Sequence, residues 1–322
     1  MLYMDSIKNL MVRIANRLKD TMLRRKLMLL VVVLIVGLII SAIIYNEYGL
    51  KSLAKNSHKT SVVSTYQTNS PLSNETAQTA SIRWLIASSA VGYINLAAGN
   101  NNFAQTIFNH SYDYEITASN VTSTDILPQS IKVLSYKSYA AFQADVSNKS
   151  IPAGYPVLMY DNESWTYTPP NEQQNPMLYY QKFGQLAHSL GYKVLATPAA
   201  DLTSVLLPKT DKYSGYLQLN LAKTARFADI FNIQAQNSSN SQAYTSFVES
   251  AIQQIKQVNP NAVILAGLTI RLNGPSLSTV ENEYNATKNL VNGYWLNVIS
   301  HNRSNNATVG KMAIEFLNAI KA

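Results

Sequence analysis

One uninterrupted apolar run, Leu27 to Tyr45 (LMLLVVVLIVGLIISAIIY), most constrains what this chain can become. It holds no charged residue, Pro, Asn or Gln, and at ~1.5 Å per residue a helix of this length crosses a ~30 Å hydrocarbon core. A buried soluble helix is the weaker reading. Before the run, residues 1–26 carry seven Lys or Arg against two Asp, an excess that holds this end in the cytoplasm. Ile7, Leu10, Met11, Ile14, Leu18 and Met22 recur there at helical spacing. This leader is therefore either a basic amphipathic helix on an anionic leaflet or a topology signal that happens to be helical. Ser41, Ala42 and Ser52-Leu53-Ala54 would suit a cleaved export signal, yet the apolar core exceeds the usual ~7–15 residues. We expect an uncleaved, single-pass anchor in the cell membrane that touches lipid through residues 27–45, with the N-terminus inside and the remainder outside.

The formal charge of +8 is mostly this topology signal, because residues 1–26 account for +5 and leave +3 beyond them. No basic stripe with interleaved aromatics follows, so nucleic acid is excluded as the main partner. With no Cys in the chain, disulfides and thiolate metal sites are excluded and an outward domain must rely on its core. Only 14% of residues are charged, whereas Tyr numbers 20 and Asn, Ser and Thr abound. Amides and hydroxyls keep their solvation in acid, where carboxylates lose their charge, so an acidic exterior is expected to be tolerated. Acceptor-type N-x-S/T triplets at Asn74, Asn109, Asn120, Asn148, Asn162, Asn237, Asn285, Asn302 and Asn306 fit a glycosylated exterior.

Residues 46–79 are polar, Ser/Thr-rich and without a sustained period, which reads as a flexible stalk. From position 80 to 322 the pattern changes to short apolar runs alternating with amphipathic stretches. Strands are expected to begin at Ile131, Pro156, Lys193, Asp229, Ala262 and Tyr294. Helices are expected over Tyr139–Val146, Met177–Leu190, Tyr216–Phe227, Ser241–Val258, Ser278–Leu290 and Val309–Ile320. The later strands start 37, 36, 33 and 32 residues apart, one strand plus one helix plus loops, which implies a parallel sheet. Earlier strands near Tyr114 to Thr117 and within Ile82 to Leu96 bring the number to eight. The fold expected is α/β, a (β/α)8 TIM-like barrel of ~240 residues, preceded by one transmembrane helix and a stalk. The doubly wound open sheet is the alternative. Its phosphate-binding Gly motifs are absent, since neither GxGxxG nor a Walker pattern occurs, and no cofactor is expected.

In a barrel, chemistry gathers at the C-terminal strand ends. Strand alternation in Pro156-Val157-Leu158-Met159-Tyr160-Asp161-Asn162-Glu163 puts Val157, Met159, Asp161 and Glu163 on one face. Two neighbouring carboxyls at a barrel mouth raise each other's pKa, which suits a general acid, Glu163, beside a charged or orienting Asp161. Trp165 and Tyr167 offer a stacking surface for a sugar ring. The bland alternative is an exposed acidic loop with a helix cap. In Asp229-Ile230-Phe231-Asn232-Ile233-Gln234-Ala235-Gln236, three amides alternate with apolar residues and would point into the barrel, either as a structural network or to bind substrate hydroxyls. Asp201, Arg271, Asn297 and His301 would fall at the same rim, and Glu172 and Gln173 on a loop above it. His58, His110, His188 and His301 lack metal-ligand spacing, so no metal site is expected. No Gly-x-Ser-x-Gly elbow occurs, which argues against a protease or esterase.

Tyr160-Asp161-Asn162-Glu163-Ser164-Trp165 with Thr168-Pro169, Glu172-Gln173 and Pro176 resembles the signature of an uncharacterised family of secreted TIM-barrel proteins of bacteria and archaea, over roughly residues 130 to 236. Asp161-x-Glu163 is also similar to the tail of the chitinase-type glycoside hydrolase motif, D-x-x-D-x-D-x-E. That resemblance implies the final Glu as acid and the preceding Asp as the residue that positions a substrate acetamido group. Met159 and Pro156 replace the two earlier Asp residues of the motif. The expected function is a membrane-anchored extracellular glycoside-hydrolase-like barrel acting on carbohydrate, with Glu163 and Asp161 catalytic and Trp165, Glu172, Asp201, Asn232, Gln234, Gln236 and Arg271 binding substrate. The alternative is a noncatalytic cell-surface or envelope scaffold that binds carbohydrate.

Overall fold

The computed structural model describes residues 81–100, 102–118, 127–236, 238 and 240–322. The expected cytoplasmic segment (1–26), membrane helix (27–45) and stalk (46–79) lie outside them. Eight strands, β1 Arg83–Ala87, β2 Tyr114–Ala118, β3 Ile131–Tyr136, β4 Val157–Tyr160, β5 Lys193–Ala196, β6 Ile230–Ile233, β7 Val263–Arg271 and β8 Gly293–Ile299, close into a barrel in chain order. Every strand runs parallel to its neighbours, and β1 returns to pair with β8. The six later strands start within one residue of their expected positions. Of the two early ones, the Ile82–Leu96 segment divides into β1 and the helix Ser88–Ala98.

Alternation along the strands makes two cores. Leu85, Val133, Val157, Met159, Leu195, Ile230, Leu265 and Trp295 fill the barrel interior. Their neighbours, among them Trp84, Leu134, Leu158, Tyr160, Phe231 and Ile264, face the surrounding helices. In the helix Ser241–Val258, Tyr244, Phe247, Val248, Ala251, Ile252 and Ile255 are buried, the stripe that its sequence spacing predicts. Each large side chain in that stripe contributes roughly 1.5–3 kcal/mol of burial. The seam between β1 and β8 closes around Gly293, where a Cβ would stand 2.1 Å from the Arg83 carbonyl oxygen.

One expected helix breaks. Tyr216–Phe227 resolves into a helix Lys212–Gln218 and a 3-10 turn Leu221–Phe227, separated by Asn220 in the left-handed region at φ 55°. Asn accepts this conformation more readily than most side chains, because its short polar chain bonds locally.

The two barrel ends differ in chemistry. At the N-terminal end, Asp113, Asp229 and Asn292 precede β2, β6 and β8 and accept the backbone N–H of Trp84, Val194 and Ile264, each at 2.8 Å. His110 and His188 stand 2.9 Å from Asp113 and Asp229, so both imidazoles serve this end. Such contacts stabilise the fold. At the opposite end helices begin on side-chain caps: Ser138 accepts from Ala141, Asp211 from Tyr213 and Ser214, Asn240 from Ala243 and Ser276 from Thr279. The connections between strands and these helices are where a site can form.

Candidate active site

Backbone pairing carries β4 past its last residue. The Asp161 N–H donates to the Tyr136 carbonyl at 2.9 Å, and the Ala199 N–H donates to the Asn162 carbonyl at 3.0 Å. Residues 161–163 therefore keep strand alternation between their neighbours. Asp161 and Glu163 continue the inward row of Val157 and Met159, as expected, while Asn162 continues the outward row of Tyr160. Asp161 is 6% exposed.

The two carboxyls act as one unit. The Gln234 amide donates to Asp161 at 3.1 Å, to Glu163 at 3.3 Å and to the Thr197 carbonyl at 3.1 Å. Burial, and then the Glu163 charge, raise the Asp161 carboxyl well above its ordinary value. Burial and the Asp201 charge raise Glu163, while hydrogen bonds from Gln234 and Asp161 oppose that rise. Both carboxyls are therefore raised, and the pair keeps a proton to higher pH than an ordinary carboxyl does. It titrates as a pair. The charge of Lys137 lowers both groups.

Asp201 joins the pair indirectly: it accepts the Ser164 N–H at 3.0 Å, fixing the turn after Glu163. Asn232 donates to Thr197 at 3.0 Å inside the barrel. The three amides of the β6 segment do share the inward face, since Phe231, Ile233 and Ala235 pack outward. Among the described residues Gln236 makes no hydrogen bond to the acid pair; its amide lies against Gly267, where a Cβ would come within 2.3 Å. Arg271 ends β7 on the face that carries Leu265, Gly267 and Thr269. Asp161, Glu163, Asp201 and Gln234 are therefore brought together, and Asn232, Gln236 and Arg271 line the adjoining side.

Glu172 is a correction. It sits in the short helix Pro170–Gln174, 1% exposed, not on a loop above the mouth. Its carboxylate accepts the N–H groups of Tyr139 and Ala140 at 2.7 and 3.0 Å and the Tyr160 hydroxyl at 2.6 Å. It caps the helix Tyr139–Asn148 from outside the barrel, with its carboxylate engaged by backbone and hydroxyl partners instead of facing the mouth. Much of the motif around it is likewise structural. Asn162 donates to the Tyr160 hydroxyl and to the Glu172 carbonyl, both at 3.1 Å. Gln173 donates to the carbonyls of Trp165 and Thr168, both at 2.7 Å. Because Asn162 is completely buried, the folded barrel cannot carry a glycan on it.

Trp165 is partly buried, its indole N–H donating to Thr168 at 2.7 Å. It meets Tyr167 edge to face at 5.4 Å, and Tyr167 is 64% exposed. Lys137 Nζ lies 4.9 Å from the Trp165 ring and 4.3 Å from the Tyr167 ring. Sequence reasoning missed Lys137, although it extends the inward row of Val133 and Ser135 on β3; a charge directly after an apolar strand, on its inward parity, is the signal. Thr197 and Thr269 were hidden because an inward Thr in an apolar strand resembles filler. Among the described residues no group of three or more His, Asp or Glu is arranged to hold a metal ion.

No protein-family model and no curated protein sequence matches the chain. Solved structures similar to it include a proposed alpha-L-fucosidase from Bacteroides thetaiotaomicron, with 6% identity, 81% of this chain and 99% of that one covered, and a TM-score of 0.50. A chitinase from Chromobacterium violaceum aligns at 11% identity over 73% of this chain and 99% of its own, with a TM-score of 0.41. The spore cortex-lytic enzyme SleL of Bacillus cereus aligns at 12% identity over 72% and 74%, with a TM-score of 0.39. At such identities the likeness concerns the fold alone, and the eight-stranded (β/α)8 barrel is what this chain shares with the fucosidase structure.

Proposed function

We propose that this chain is a membrane-anchored, outward-facing barrel that binds carbohydrate and hydrolyses a glycosidic bond with the Asp161–Glu163 pair. The observation that carries the reading is the pair itself: two carboxyls at the C-terminal end of β4, one deeply buried, each accepting from the one Gln234 amide that bridges them and each acting on the other's charge. A carboxyl group with a raised pKa can hold its proton until the leaving oxygen needs it. In this scheme Glu163, the less buried partner, protonates the glycosidic oxygen, and Asp161 orients it and passes its proton across. The oxocarbenium-like centre is then met by water or by a group of the substrate. Trp165 and Tyr167 supply the aromatic wall against which a sugar ring stacks. The description of the similar structure as an alpha-L-fucosidase is in line with this class of substrate.

A noncatalytic scaffold would leave Asp161 and Glu163 exposed and apart from Asp201 and Gln234. Burial of Asp161 and its shared contact with Gln234 favour the catalytic reading. The anchor at residues 27–45, the stalk and glycosylation at exposed sequons such as Asn148, Asn285 and Asn302 complete the proposal. The test is hydrolysis of a panel of polysaccharides and oligosaccharides by the full-length protein from acid to neutral pH, beside Glu163→Gln. Turnover abolished in the variant supports the assignment. Equal turnover in both proteins rejects Glu163 as the acid, and glycan binding without turnover favours the scaffold.

A further inference from the structure

The β6–β8 side of the mouth holds polar atoms without partners among the described residues. Asn232 Oδ1, Gln236 Oε1, Thr269 Oγ1, Arg271 Nε and Trp295 Nε1 are all buried and make no hydrogen bond to any of them. Asn232 and Thr269 are 0% and 1% exposed. Their shared direction follows from strand register: Gly267 pairs with Trp295, whose side chain belongs to the interior cluster, and Thr269 lies two residues beyond Gly267 on the same face. Orphaned buried groups cost about 1–3 kcal/mol each, so five on three adjacent strands call for an occupant.

The charges say what kind. Lys137 answers the Asp161–Glu163 pair, whose acidity it increases. Asp201 and Lys212 act on one another in the same way. Burial lowers the Lys212 pKa most, and the nearby Arg271 charge lowers it further. Among the described residues no hydrogen bond or ion pair engages the Arg271 guanidinium. A partly buried cation of this kind, beside a second cation and on the strand face that also carries Thr269, is matched by an anion. A guanidinium fork fits a planar carboxylate best. Asn232 Oδ1 and Gln236 Oε1 add acceptors, which a carboxylate cannot satisfy but a sugar hydroxyl can.

We propose that this side of the mouth is a subsite for an acidic sugar, with a uronate carboxylate on Arg271, Thr269 and Trp295 and ring hydroxyls on Asn232 and Gln236. The inference names the substrate class of the carbohydrate site above and rests on that reading. Binding to the full-length protein is measured by calorimetry with D-glucuronate, D-galacturonate and D-mannuronate, each beside its parent hexose, and with inorganic sulfate. At least one uronate is expected to bind tenfold or more tightly than its hexose, about 1.4 kcal/mol. Arg271→Gln is expected to erase that preference, while Arg271→Lys keeps part of it through charge without the fork. If Arg271→Gln fails to fold, as judged by circular dichroism, Thr269→Val serves in its place and is expected to weaken uronate binding severalfold more than hexose binding. Equal affinity for the two series, no uronate binding, sulfate binding as tight as uronate, or a preference that survives Arg271→Gln would overturn the proposal. Failure of the two readings is distinguishable: uronate-selective binding without hydrolysis removes the catalytic role of Glu163 and leaves the subsite, whereas hydrolysis confined to neutral glycans does the reverse.

Discussion

Replacing Glu283 with Gln is expected to stabilise the protein by an amount that opens above pH 4.5, grows until about pH 7 and is constant beyond it. Glu283 lies in the helix Leu277–Thr287, is 3% exposed, and its carboxyl makes no hydrogen bond or ion pair among the described residues. Burial alone raises its pKa from 4.5 to about 7. Its charge also presses on the buried hydroxyls of Tyr213 and Tyr244. A carboxyl whose folded pKa is raised binds its proton more tightly when folded. Its contribution is therefore complete below pH 4.5 and is lost as pH rises through about 7. At about 1.4 kcal/mol per pH unit, the step from 4.5 to about 7 amounts to roughly 3 kcal/mol. Gln has the shape of the protonated acid and cannot ionise. Urea unfolding of Glu283→Gln should thus match the parent near pH 4 and exceed it by roughly 3 kcal/mol near pH 8. In a thermal scan the same gap is about 6–12 °C for a domain of this size. Stability curves for the two proteins that run parallel from pH 4 to 8 would show that the buried Glu283 charge does not limit stability. Burial raises Asp113, Asp161, Glu163 and Asp201 in the same sense, so the parent barrel is itself expected to be more stable at pH 5 than at pH 8.

Three further outcomes follow from named contacts. Glu172→Ala strips the acceptor from two helix N–H groups and a buried hydroxyl, and should cost about 3 kcal/mol or more in urea unfolding while leaving ligand specificity unchanged in whatever protein folds. Gln234→Ala removes a donor that lowers Glu163, so any hydrolytic pH profile should move its Glu163 limb to higher pH; an unmoved profile would place Gln234 outside the pair's titration. Gly267→Ala sets a methyl group within 2.3–2.6 Å of the Gln236 amide and must displace it, so sugar affinity should fall several-fold with only a small change in Tm.

Sequence alone determined the barrel, because one strand-plus-helix unit repeats about every 32–37 residues and the parity of each strand separates the inner face from the outer. Parity also placed Asp161 and Glu163 inward, together with the amides Asn232, Gln234 and Gln236. What periodicity could not convey is partnership across the barrel. The Gln234 bridge to two carboxyls 71 and 73 residues away, the charge of Lys137 upon them and the turn set by Asp201 exist only once the sheet closes. The same limit explains Glu172. Beside a barrel mouth an acidic residue in a Pro-flanked segment reads as a ligand group, yet its backbone partners are set by how the helix Tyr139–Asn148 packs, and Tyr160 reaches it on the outer face. Residue type and spacing are properties of the chain. Which polar atoms find partners and which, like the Arg271 Nε, do not is decided by tertiary packing, since desolvation depends on what surrounds a group.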